Sequence, residues 1–181
     1  LARQNWDKPH VPGGRITHIW TQDFQRTQFI TETCRNVEAS SSLPELVDQV
    51  DAFIVARDDY MHNFELATRL AGKRKPILFD KQLAKSSEEA IHIINYCRQM
   101  DSPLFTGSPI SRGNISFLRS WIGNQNVVLL EAITPKNWYN YAVHVVDPII
   151  TSMQCREGLA VKSLNVDKDA SRTSVQLSIA R

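Results

Sequence analysis

Pro76-Ile77-Leu78-Phe79-Asp80-Lys81-Gln82-Leu83 is the stretch on which the fold turns. A short apolar run opened by proline and closed by a charged pair reads as a strand buried on both faces, as in a parallel sheet covered by helices. The charged pair falls where such a strand leaves its sheet. In open α/β folds, ligands bind in the crevice beyond the carboxyl ends of the strands. A lysine there, partly desolvated, is suited to proton transfer, because burial disfavours its charged form. On these residues alone, Asp80-Lys81 reads equally well as a solvated pair in a loop.

The flanking sequence repeats the same alternation. Towards the N-terminus, Arg15 to Thr21 is rich in β-formers and predicts a strand. Phe24 to about Arg35 predicts a helix with Ile30 and Cys34 on its buried side. Ser42-Leu-Pro-Glu45 is a capping box opening a short helix, and Val50 to Ala56 is a second strand. The next helix carries Phe64, Ala67, Leu70 and Ala71 on one face and stops at Gly72. Beyond the central run, Ser86-Ser-Glu-Glu89 is a second capping box, followed by Ala90, Ile93, Ile94 and Cys97 at helical spacing. Pro103 to Gly107 is a further short strand. Strands and helices alternating at this spacing mean βαβ units and a parallel sheet.

After Ser108 the rhythm changes. Ile115 to Ile122 reads as a helix, Val127 to Ile133 as a strand, and Tyr141 to Met153 as a helix containing Pro148. Leu159 to Val166 and Thr173 to Ala180 alternate apolar with polar residues across a turn-rich connection, the pattern of an antiparallel hairpin with one wet face. A second, α+β region therefore begins near residue 109. Leu1 to Trp6 reads as the tail of a helix.

Composition narrows the class. With 42% hydrophobic and 22% charged residues, the chain is that of a globular protein. A formal net charge of +2 creates no basic field, and no Arg/Lys stripe interleaves with aromatics, so nucleic acid is not an expected partner. Cys34, Cys97 and Cys155 are widely spaced, which predicts small buried hydrophobes of a reducing compartment and no metal site. No run approaches the length of a membrane span and no signal peptide is evident, so the reading is cytoplasmic with no membrane partner. The G-x-G-x-x-G turn that seats a pyrophosphate on a helix N-terminus does not occur in the 181 residues.

Val50 to Ala56, His62, Ala71-Gly-Lys73, Phe79-Asp-Lys-Gln-Leu-Ala84 and Tyr141-Ala-Val-His-Val-Val-Asp147 follow one another in an order that resembles the glucose-fructose oxidoreductase and inositol dehydrogenase (Gfo/Idh/MocA) family. The resemblance runs from about Ile16 to the end. It implies a partial Rossmann-type parallel sheet in residues 1–108, incomplete at its N-terminal side. It also implies part of an α+β substrate and oligomerisation domain with an open, mainly antiparallel sheet in residues 109–181, incomplete at its C-terminal side. The implied activity is NAD(P)-dependent hydride transfer to or from a sugar, polyol or related small molecule, in a homo-oligomer assembled through the C-terminal sheet.

The resemblance also implies site residues. Lys81 matches the lysine of the family's Glu-Lys-Pro motif, which ends a strand beside the nicotinamide. Asp80 stands for the glutamate and keeps an acceptor for a ribose hydroxyl or for Lys81. Gln82 stands for the proline and gives up its turn restriction. His144 matches the catalytic histidine, and imidazole suits a general base taking a hydroxyl proton. Many members carry an aspartate one turn earlier, where this chain has Asn140, which cannot carry a proton; Tyr139 or Tyr141 could take that place. Asn140, Tyr141, Asp147 and Arg112 are candidate substrate contacts. Thr21 and Asp23 follow the strand that usually ends in the ribose-binding acid, and they leave NAD and NADP both open. Ala56, Arg57 and Asp58 would border the nicotinamide, the two charged side chains reading equally well as solvated, and His62 would pack beneath the cofactor loop. Gln82, Asn140 and the absent glycine turn also keep open a non-catalytic member that binds a nucleotide or sugar derivative, and the apolar face of the C-terminal sheet keeps open a module serving self-association.

Overall fold

A computed structural model describes residues 13–34, 36–109, 111, 120, 133–134, 138–153, 160–168 and 173–180. The predicted helix at the N-terminus, the helix from Ile115 apart from Ser120, the strand from Val127 apart from Ile133, and Arg112 and Cys155 lie outside these residues.

Ile77–Phe79 (β4) is the middle strand of a parallel three-stranded sheet, flanked by Phe53–Val55 (β3) and Leu104–Phe105 (β5). Phe53 pairs with Ile77 and Ile77 with Leu104, so the next row is Ile54, Leu78 and Phe105. The two rows face opposite ways, because side chains alternate along a strand. Phe53, Ile77 and Phe79 are buried against Val47 of Leu43–Gln49 (α2), Leu66, Ala67, Leu70 and Ala71 of Asn63–Ala71 (α3), and Ile93 and Cys97 of Ser87–Gln99 (α4). The other row is open: Ile54 is 57% exposed, Leu78 39% and Phe105 50%. The expectation that β4 is buried on both faces is thus corrected. Apolarity on both sides of a strand states what the strand tolerates; which face is covered depends on where the helices pack.

A second parallel pair joins His18–Ile19 (β1) to Glu38–Ala39 (β2), with Phe24–Thr33 (α1) between them. The ladder is shorter than the Arg15–Thr21 strand read from sequence, although Glu38 N–H also donates to Thr17 O and Ser40 N–H to Ile19 O. β2 escapes a pattern search because it is two residues long and exposed. On α1 the fully buried residue is Thr27, whereas Ile30 and Cys34 are only partly covered. Thr27 is tolerated there because its hydroxyl bonds with Thr21 N–H (2.9 Å) and Asp23 O (3.3 Å).

Both predicted capping serines hold. Ser42 Oγ accepts from Glu45 N–H and Ser86 Oγ from Glu89 N–H. The glutamates reach one residue further back than a capping box requires: Glu45 Oε2 accepts from Ser41 N–H and hydroxyl, and Glu89 Oε2 from Lys85 N–H. On α3, Leu66 takes the buried place expected of Phe64, which is 43% exposed. Gly72 follows α3 with a right-handed φ of −59°, and the left-handed residue is Arg74.

The predicted C-terminal helix is broken in two, Trp138–Tyr141 (α5) and Val143–Met153 (α6), with Pro148 inside the second. Proline has no N–H, so it removes the i+4 donor for the carbonyl of His144. Ala160–Lys168 (β6) and Thr173–Ala180 (β7) form the expected antiparallel hairpin. Its ladder pairs Leu164 with Leu177 and Val166 with Val175, and polar Asn165 with Gln176 between them. An irregularity between Val161 and Ser163 brings Val161 opposite Ile179. The architecture is α/β, with helices α2 to α4 on one face of a parallel sheet. Among the described residues, no helix is long and apolar enough to cross a membrane.

Candidate active site

Because β3, β4 and β5 are parallel, their carboxyl ends lie at one edge of the sheet. Ala56 and Arg57 leave β3 there, Asp80 and Lys81 leave β4, and Gly107 and Ser108 follow β5. Asp80 N–H donates to Val55 O, which holds the two exits side by side.

The Lys81 side chain is largely enclosed at this edge, 11% exposed. Its ammonium lies 3.6 Å from Asp58 Oδ1 and 5.3 Å from the centroid of the Tyr141 ring. That is a cation–π distance, reinforced where water is partly excluded. Asp80, read from sequence as a partner for Lys81, instead accepts from the Lys81 backbone N–H at 2.9 Å. The ammonium's carboxylate is Asp58. The loop beyond Lys81 is held from below by Asn63, whose Nδ2 donates to Gln82 O (3.0 Å) and Leu83 O (3.1 Å). Asn63 is 2% exposed, so an amide fixes the segment where the family has proline. His62, expected in that supporting place, is exposed at the end of the 3₁₀ turn Tyr60–His62.

The Tyr141 ring is 5.8 Å from the His144 ring, centroid to centroid, tilted by 51°. Tyr141 therefore stands against both Lys81 and His144, and the two residues singled out from sequence meet on it. Asn140 lies on α5 and His144 on α6, with the helix broken at Ala142 between them. The uninterrupted i−4 helical spacing expected of that pair is absent. His144 Nδ1 is 2.9 Å from Ser108 Oγ. Asp147, three residues on, accepts from Ser108 N–H (2.9 Å) and the Ser111 hydroxyl (2.5 Å) through Oδ2, and from the Thr151 hydroxyl (3.1 Å) through Oδ1. Its carboxylate anchors the chain after β5. Gly107 adopts φ +124°, a conformation suited to glycine, where its main chain passes Asp147.

Arg57 and Asp59 form a two-pronged pair between the guanidinium and the carboxylate. The hydrogen bond from Arg57 holds Asp59 below the usual carboxylate range, and the same bond raises Arg57. At the end of β1, Thr21 Oγ donates to Asp23 O, and Asp23 Oδ1 caps α1 by accepting from Gln25 N–H and Arg26 N–H. Asp23 Oδ2 makes no hydrogen bond among the described residues and stays available to a hydroxyl. An open groove of about 370 Å³ runs beside Trp138, Ala142, Val143, Val146, Asp147 and Ile150. It includes neither Lys81 nor His144.

Asn63, Ser108 and Ser111 join this region without having been singled out from sequence. Only Gly107, a glycine at the end of a strand, signalled that the chain bends there.

The sequence pattern of the oxidoreductase family with an NAD-binding Rossmann fold matches residues 3–108. No curated protein sequence matches the chain. Among solved structures, a dehydrogenase from Chromobacterium violaceum is similar, with a TM-score of 0.66 and 17% identity over 92% of this chain and 54% of that one. The WlbA dehydrogenase from Bordetella pertussis, solved with NADH and UDP-GlcNAcA, has a TM-score of 0.51 and 19% identity over 59% of this chain and 31% of its own. Biliverdin reductase from Synechocystis sp. PCC 6803, solved with biliverdin and NADP+, has a TM-score of 0.59 and 14% identity over 82% and 52%. The chain spans between 31% and 54% of these three structures, and at such identities the likeness is one of fold. The family's pattern, matching more than half the chain and agreeing with the parallel sheet and the landmarks around Lys81, shows that this chain belongs to the Gfo/Idh/MocA family of NAD-binding Rossmann-fold oxidoreductases.

Proposed function

We propose that the protein is an NAD(P)-dependent dehydrogenase or reductase acting on a hydroxyl or keto carbon of a sugar, polyol or related small molecule. The observation that carries this reading is the meeting of Lys81 and His144 on the Tyr141 ring, at the carboxyl edge of the sheet. The nicotinamide, when bound, supplies or accepts the hydride. Ala56, Arg57 and Asp80 would border its ribose and ring, and Asp23 Oδ2 is suited to an adenosine hydroxyl, which favours NAD over a 2′-phosphate. Lys81 orients and polarises the substrate oxygen, and His144 takes its proton in oxidation or returns it in reduction. Tyr141 holds the two apart while shielding them from water.

Gln82 and Asn140 support a second reading, a non-catalytic member that binds a nucleotide or sugar derivative. The test is substrate-dependent NAD(P)H absorbance with purified full-length protein on a panel of sugars and polyols. Cofactor binding without turnover of any substrate favours the second reading. Residues 1–108 and 109–181 are read as nucleotide-binding and substrate units, and the apolar pairs of the β6–β7 ladder support self-association through that sheet. Light scattering of a chain carrying Leu164→Lys and Leu177→Lys tests this, and an unchanged mass argues against it. The cytoplasmic reading is supported by the wide spacing of the cysteines and by the lack of an apolar run of membrane-spanning length in the 181 residues.

A further inference from the structure

We propose that Ser108 is a positioning residue that fixes the ring tautomer of His144, with the proton on Nδ1 and the lone pair on Nε2. The inference rests on the reading of His144 as the acid–base group and adds what makes it competent. Ser108 is fully buried, and its main chain is held on both sides: its N–H donates to Asp147 Oδ2, and its carbonyl accepts from Ser111 N–H at 3.1 Å. Its hydroxyl therefore has a fixed origin, 2.9 Å from His144 Nδ1. His144 and Asp147 are three residues apart on α6 and so lie on one side of it. One serine grips both, and the imidazole is locked relative to its own helix.

Which way the hydrogen points follows from the chemistry asked of the ring. A neutral imidazole has one donor and one acceptor nitrogen, and the bond made by one decides the role of the other. If the Ser108 hydroxyl donated to Nδ1, Nε2 would carry the proton and could accept none. That bond would also have to reverse whenever the ring became charged. If Nδ1–H donates to Ser108 Oγ, the same bond serves the neutral and the protonated ring, and proton transfer at Nε2 needs no rearrangement behind it. Sequence supplies no carboxylate at position 140 to set the tautomer. The hydroxyl after β5 takes that task.

The test is long-range proton–nitrogen NMR of the imidazoles in the ¹⁵N-labelled protein, with His144→Gln to assign the signal. We expect His144 with a protonated Nδ1 and an unprotonated Nε2. Ser108→Ala should move it toward a mixture in which Nε2–H predominates, and Ser108→Thr should restore the original state. With a substrate in hand, Ser108→Ala should lower kcat by roughly ten- to a hundredfold at nearly constant KM, within the range that acid–base groups contribute. An Nε2–H tautomer in the unaltered protein overturns the proposal, as does a tautomer unmoved by Ser108→Ala. Should Ser108→Ala not fold, the unaltered protein and Ser108→Thr still decide. An Nδ1–H ring in a protein that turns over no hydroxyl substrate supports the positioning role and counts against the proposed reaction instead.

Discussion

The ammonium of Lys81 lies 5.3 Å from the centre of the Tyr141 ring, across the gap between the end of β4 and the start of the C-terminal helices. This contact ties the lysine ending a strand of the parallel sheet to the segment that carries His144. If both residues act on the reacting hydroxyl, Lys81→Ala and His144→Ala should each lower kcat/KM by about a hundred- to ten-thousandfold. Tyr141→Phe keeps the ring face and should retain much more activity than Tyr141→Leu, a cation–π contact being worth about 0.5–2 kcal/mol. Steady-state kinetics of the four variants decides, and full rates in both Lys81→Ala and His144→Ala would remove the assignment.

Asn63 should matter more than its place in the first turn of α3 suggests. Asn63→Ala strips the donors from the carbonyls of Gln82 and Leu83 in a buried setting, at a cost of about 1–3 kcal/mol. Urea denaturation should show the loss, and Asn63→Asp should not recover it, because a carboxylate cannot donate. A midpoint equal to that of the unaltered protein would refute this.

The two sides of β4 should respond differently. Phe79 is fully buried, and Phe79→Ala should cost about 3–5 kcal/mol. Leu78, on the open row, should accept Gln for less than about 1 kcal/mol. Equal losses by thermal unfolding would mean that the outer row is covered.

The Arg57–Asp59 pair predicts a particular pH dependence. Asp59 is held below its ordinary range by Arg57, so its stabilisation is complete above the unfolded carboxylate value, near pH 4, and fades as pH falls through the depressed value. Asp59 is 55% exposed, which limits the pair to about 1 kcal/mol or less. Asp59→Asn should therefore be slightly less stable at neutral pH and converge with the unaltered protein in acid. Melting curves that stay parallel down to pH 3 would contradict it.

Calorimetric titration of the 181-residue chain with NAD and NADP should show no tight binding. On the proposed reading the residues around Lys81 border only the nicotinamide end, and no G-x-G-x-x-G turn occurs in this sequence to seat the pyrophosphate. Submicromolar binding would disprove this.

By itself the sequence determined the alternation of strands and helices, both capping serines, the C-terminal hairpin and the exit of Lys81 from a strand. These are local matters, settled by periodicity, caps and turns within a few residues of one another. It could not determine β2, whose two exposed residues owe their conformation to pairing with β1. Nor could it choose which face of β4 is covered, since an all-apolar strand is compatible with either. The partners of the site were decided by tertiary structure alone. Lys81 took Asp58 in place of adjacent Asp80, Asn63 replaced the restraint of a proline, and Ser108 reached His144 across 36 residues. Such bonds depend on where the β-strand exits and α6 converge, and no periodicity in the chain records that meeting.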